Sequence, residues 1–227
     1  MSFDGFGRLI LGCMLIWALG GCSVREDRSD CPCLLLLDFS ALETEALIGQ
    51  GYEELSWEVR TGSVSLRGRI PMDELPAGQE VEIPREDVTV KVLVGDGELY
   101  DPELGLQIPE GEDCPALMTF LAQVDGSVPE QTVPVVLHKR YARLDLSLRD
   151  LVQEGTTFVV LGEVCGYGME MEPVSGLFRV ALEPDETFCD TVSIPMQLDG
   201  SLSLCVYRFG ELERIFALGE YILDSGY

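Results

Sequence analysis

Cysteine is the side chain whose setting in this sequence points most directly to chemistry. Cys22 follows Gly20 and Gly21 at the end of an 11-residue uncharged apolar run from Leu9 to Leu19. A thiol behind two small residues and an apolar segment suits peptidase cleavage between Gly21 and Cys22 and acylation of the sulfur. The run is too short to cross a hydrocarbon core of roughly 30 Å as a helix, so residues 1–21 read as a signal peptide. Its n-region is weak, because Asp4 offsets Arg8.

Once Cys13 leaves with the signal and Cys22 is acylated, Cys31, Cys33, Cys114, Cys165, Cys189 and Cys205 remain. An exported protein meets an oxidising compartment, so disulfides are permitted, although spacing alone does not choose the partners. Cys31 and Cys33 are too close to pair comfortably with each other, and either one with Cys114 is a candidate. Cys205, inside an apolar run, suits a buried free thiol.

Constellations for catalysis are thin. His138 is the single histidine, set between an apolar run and Lys139-Arg140, which fits a surface position at a strand end better than a buried base. No serine sits in a G-x-S-x-G elbow. The cysteines lack the C-x-x-C spacing of zinc sites, and Asp96-Gly97, Asp125-Gly126 and Asp199-Gly200 lack the order of a calcium loop, so they read as turns. Gly166 and Gly168 make half of a nucleotide fingerprint with no helix behind it. The expectation is no enzyme, no catalytic residue, no metal and no cofactor.

Forty acidic residues stand against 15 basic ones, of which only Lys91 and Lys139 are lysines, for a net charge of -25. Such a surface repels phosphate backbones and excludes nucleic acid as a partner. Removing residues 1–21 leaves the charge unchanged, since Asp4 and Arg8 go together. Anionic lipid therefore does not attract the mature chain, and membrane attachment must come from buried acyl carbon at about 0.8 kcal/mol per CH₂.

The elements that would present such an anchor are strands. Ser23 to Asp30 is a charged tether, and from Leu34 onward short apolar runs alternate with glycine, proline and aspartate. Val88, Val90, Val92 and Val94 alternate with Thr89 and Lys91, and Ala142, Leu144, Leu146 and Leu148 alternate with Arg143, Asp145 and Ser147. Period two with one polar face marks half-buried antiparallel strands. Val192 to Leu198, Asp199-Gly200 and Leu202 to Val206 predict a hairpin. Further strands are expected at Leu34–Phe39, Ser56–Arg60, Val64–Ile70, Leu117–Val124, Thr132–Leu137, Thr156–Val164 and Leu177–Leu182, with short helices at Glu43–Glu53 and Ala217–Asp224. Strands at this density without intervening helices predict an all-β protein of antiparallel β-sandwiches. The length suits two domains, divided near Lys139.

Three segments carry a resemblance. CSVREDRSDCPCLLLLDF (Cys22 to Phe39), PVVLHKRYARLDLSL (Pro134 to Leu148) and FALGEYILDSGY (Phe216 to Tyr227) resemble, in that order, blocks of the FimB/Mfa2-type fimbrial anchor lipoproteins of Bacteroidales, subunits of type V fimbriae. The resemblance implies two transthyretin-like β-sandwich domains in tandem: a signal peptide over 1–21, an acylated tether over 22–33, an N-terminal domain over 34–138 and a C-terminal domain over 139–227. It also implies an outer-membrane lipoprotein, surface-exposed through the acids behind Cys22, that forms the base of a fimbria, retains it and limits its length. The implied partner is a stalk pilin engaged by donor-strand exchange. Members of that family continue past the block ending at Tyr227. The chain is thus expected to be a fragment with an incomplete second domain, or a chain whose second domain ends early; bare core at an edge favours the fragment. The alternative function is a surface lipoprotein that binds or processes glycans, which requires grouped aromatics or two carboxylates about 5 to 9.5 Å apart in a cleft.

Overall fold

The structure, a computed structural model, describes residues 32–95, 100–101, 104–147, 154–182, 189–198 and 200–219. In chain order the elements are β1 (Cys33–Asp38), α1 (Thr44–Gly49), β2 (Glu54–Arg60), β3 (Ser65–Pro71), β4 (Gly78–Ile83), β5 (Asp87–Gly95), β6 (Tyr100–Asp101), β7 (Gly105–Gln107) and β8 (Leu117–Asp125). Then follow β9 (Glu130–Pro134), β10 (His138–Lys139), β11 (Tyr141–Ser147), β12 (Thr156–Tyr167), β13 (Pro173–Leu182), β14 (Cys189–Pro195), β15 (Ser203–Arg208) and β16 (Glu211–Ala217). The protein is an all-β sandwich fold.

A three-stranded sheet in the order β4-β1-β9 packs on a five-stranded sheet in the order β10-β8-β5-β2-β3. Alternation explains the packing: Cys33, Leu35 and Leu37 of β1 turn inward with no exposure, opposite Val88, Val90, Val92 and Val94 of β5, while intervening residues face out. α1 closes one end by burying Leu47. Among the described strands one pairing breaks the antiparallel expectation: β1 runs parallel to β9, Leu34 opposite Glu130 through Asp38 opposite Pro134.

A second core lies between the pair β11-β14 and a wider sheet in which β12 bonds β13 along one edge and shares its other edge between β15 and β7. Phe158, Val160, Phe178, Val180, Leu204 and Val206 meet Leu146, Val192 and Ile194 there. The hairpin expected across Asp199-Gly200 is not formed. β14 pairs with β11, whereas β15 pairs with β12 and β16, so the link passes from one sheet to the other. Both flanking strands turn their apolar faces into the same core from opposite sides, which a hairpin within one sheet would not allow.

Between the cores, the outer face of the five-stranded sheet meets β7 and β12 through Leu93, Leu106, Leu117, Tyr167 and Met171. Gly105, at φ +83°, lets β7 approach β12 closely: a Cβ there would stand 2.1 Å from the Tyr167 carbonyl oxygen. Where neither β15 nor β7 covers β12, the Gln197 side chain replaces a strand. Its Oε1 accepts from the amides of Glu163 (2.9 Å) and Val164 (3.3 Å), while its Nε2 donates to the Pro195 carbonyl (2.8 Å).

The helix expected over Glu43–Glu53 forms as α1. Of the segment expected as a helix over Ala217–Asp224, Ala217 closes β16 and Gly219 is helical, while 220–224 lie outside the described residues.

Candidate functional site

Cys22 and Gly21, the residues with the strongest chemical signal, lie outside the described residues, as does Cys31. Cys33 opens β1 as a buried free thiol, pushed above the usual thiol range by burial, which outweighs the attraction of Arg85. Cys114 is also a buried free thiol, raised by burial and the neighbouring Asp113 to about 12. The two belong to different parts of the fold: Cys33 packs in the first core, whereas the Cys114 amide donates to the Ser193 carbonyl of β14 at 2.8 Å.

His138 lies exposed on the short β10, opposite Thr119. Among the described residues no group of three or more His, Cys, Asp or Glu side chains is placed to hold a metal. No helix among them is long and apolar enough to cross a membrane.

The polar centre that sequence reading missed sits at the contact between the cores. Lys91, on the face of β5 that alternation assigns to solvent, is 2% exposed. Its Nζ donates to the Tyr100 hydroxyl at 2.6 Å and to the Met169 carbonyl, and stands 3.7 Å from Glu58 Oε2. Glu58 Oε1 accepts from Arg67 (2.9 and 3.0 Å) and from the Ser65 hydroxyl (3.1 Å). Burial would raise the Glu58 carboxyl, yet the Arg67 hydrogen bonds and the Lys91 charge hold it below its ordinary value. Burial draws Lys91 down, with Glu58 opposing. Burial and the Glu58 charge push Tyr100 to about 12. Arg60 reaches Glu170 at 3.7 Å beside this centre.

A crevice of about 330 Å³ opens over it, lined by Ser56, Trp57, Glu58, Arg67, Gly68, Arg69, Leu93 and Tyr100. Glu58 is the one carboxylate in that lining, and it is fully engaged by ion pairs. Trp57, which is half-buried, also packs against the first core. The lining holds a single carboxylate, and the Lys91–Met169 contact beside it ties the two cores together.

Strand edges are the remaining candidates for contact with a partner. β4 places Glu80 and Glu82 outward and β3 carries Arg67, Arg69 and Pro71, devices that discourage strand addition. β11 and β16 differ. Among the described residues, β11 bonds only β14 and β16 bonds only β15. Four of the five half-covered residues packed on the second core gather on them: Ala142 and Leu144 on β11, Phe216 on β16 and Leu218 just after it. On the inward face of β16, Arg214 is exposed and lies 5.7 Å over the Phe216 ring. A sheet of two strands faces a wider one, and the uncovered core follows the two free edges.

No protein-family model matches the chain, and no curated protein matches it by sequence. Solved structures do share its fold. The chain superposes on the fimbrial anchor protein Mfa2 from Porphyromonas gingivalis with a TM-score of 0.61 at 13% identity, covering 86% of each chain. A candidate adhesin from Bacteroides ovatus gives 0.60 at 14% identity over 86% of this chain and 78% of the other. A candidate polysaccharide-binding protein from Bacteroides thetaiotaomicron gives 0.60 at 12% identity over 83% and 81%.

Proposed function

We propose that this chain is the anchor subunit of a fimbria: an exported lipoprotein acylated on Cys22, held at the outer membrane, that retains the fimbria at the cell surface and limits its length. In this reading residues 1–21 are the signal peptide, 22–33 the tether, and 34–138 and 139–227 the two sandwich domains. The partner is a stalk pilin, and contact is made by strand exchange. The observation that carries the reading is the half-covered core along β11 and β16. A strand added to the free edge of β11 would extend the two-stranded sheet, satisfy its outward amides and carbonyls and cover Ala142, Leu144 and Phe216. The fold shared with a fimbrial anchor protein supports the same reading.

The test is a photo-crosslinking residue at Arg143, exposed on β11, in cells that display fimbriae. Recovery of a pilin subunit attached at that position is the expected result. A pilin attached only from control positions on β3, or no pilin at all, counts against strand exchange at this edge.

A further inference from the structure

We propose that β1 is a mechanical clamp that carries tension from the N-terminal tether into the body of the protein; the inference rests on the anchor reading. Tension on Cys22 enters β1 at its N-terminal end, so the first of the described elements takes the load.

β1 is the central strand of its sheet. Each of its six residues has a partner on antiparallel β4, and five have partners on parallel β9. The β9 ladder is closed at both ends, by the Leu34 amide on the Pro129 carbonyl (2.8 Å) and the Val135 amide on the Asp38 carbonyl (2.9 Å). On the other side the Phe39 amide extends the β4 ladder to the Ala77 carbonyl (2.8 Å).

Direction decides how such ladders fail. β9 leaves its C-terminal end towards β10 and β11, so a load attached in the second sandwich pulls β9 from its C-terminus while the tether pulls β1 from its N-terminus. The two strands are parallel, and these opposed pulls shear them along their length. In shear the hydrogen bonds lie across the force and are loaded together, whereas in peeling they break one at a time. The inner side chains add to the resistance. Cys33, Leu35 and Leu37 are fully buried, and a slip of one residue would turn all three to the wrong face.

The full chain, held by its N-terminus, can be pulled from a second handle placed at one of two exposed residues. Glu211 on β16 loads β1 in shear. Asp87, at the start of β5 and close after Ile83, which pairs with Cys33, loads β1 by peeling. Single-molecule pulling at one loading rate should give a several-fold higher force for the first unfolding event from Glu211 than from Asp87, because forced unfolding reports the barrier along the pulled direction. Equal forces, or a weaker response from Glu211, would overturn the clamp. Membrane retention through Cys22 is read separately by fractionation: its loss would remove the anchor reading while the force ratio stood, and retention with equal forces would remove the clamp alone.

Discussion

Glu58 and Lys91 stand directly opposite each other on antiparallel β2 and β5, with Oε2 and Nζ 3.7 Å apart and both side chains withdrawn from water. They do not share the burden equally. Glu58 also has Arg67 and Ser65, whereas the other close partners of Lys91 are the neutral Tyr100 hydroxyl and Met169 carbonyl. Glu58→Gln therefore strands a buried cation and should cost about 3–5 kcal/mol. Lys91→Met leaves Glu58 its guanidinium and should cost less. The double variant Glu58→Gln/Lys91→Met should recover part of the loss. Urea midpoints of the four proteins measure this, and single costs that simply add would show that the pair is not coupled.

The same carboxylate sets a pH dependence. Its folded pKa lies below the unfolded value of about 4.3, so its contribution is fully present above that value and is lost as pH falls through the folded pKa. The stability gap between the native protein and Glu58→Gln should stay constant from neutral pH to about pH 5 and close below about pH 4. A gap that persists at pH 2 would mean that Glu58 acts through packing and not through its charge.

Gly68 is required by an indole. A Cβ at this position would stand 2.5 Å from Trp57 Cε2 and 2.6 Å from its neighbours. Gly68→Ala should displace the ring and cost about 1–3 kcal/mol through overpacking. Trp57 and Trp17 are the only tryptophans, so in a chain beginning at Cys22 the emission reports Trp57 alone. A red shift on Gly68→Ala is expected, and an unchanged spectrum and urea midpoint would show that the ring has room.

Gln197 stands in for a strand. Gln197→Leu leaves the Glu163 and Val164 amides without their acceptor and should cost about 1–3 kcal/mol. Hydrogen exchange should accelerate at these two amides before the rest of β12, and uniform protection along β12 would contradict the assignment.

Cys22→Ala should release the chain from membranes, because a body of net charge -25 has no electrostatic attraction to anionic lipid. Fractionation after a salt wash checks it. Continued retention of the variant would remove the basis of the anchor reading.

The strands that alternation announces are those with one clean apolar face, and β5 and β11 formed where their valines and leucines placed them. β4 was invisible because only Val81 and Ile83 turn inward, while Glu80 and Glu82 on an edge look like a loop. β16 was hidden for the same reason, with an almost wholly exposed surface. Pairing was less legible than strand content. Asp199-Gly200 reads the same in a hairpin as in a link between sheets, and only the opposing core distinguishes them. Lys91 reads as a solvated residue because its shielding comes from Tyr100, beyond the end of its own strand, and from Met169, 78 residues along the chain. The expectation at Cys22, by contrast, rests on local spacing alone and falls outside the described residues, whereas the strand edges became visible only in the fold.

The parallel pairing of β1 with β9 also orders events in time. A chain exported from its N-terminus presents β1 first, yet Leu34 has no partner on β9 until Glu130 has followed. Closing so long a loop is slow and entropically costly, so this ladder is expected late in folding. Until then β1 is held on that side by no ladder, so the strand that leads the described fold is among the last to be sealed into its core.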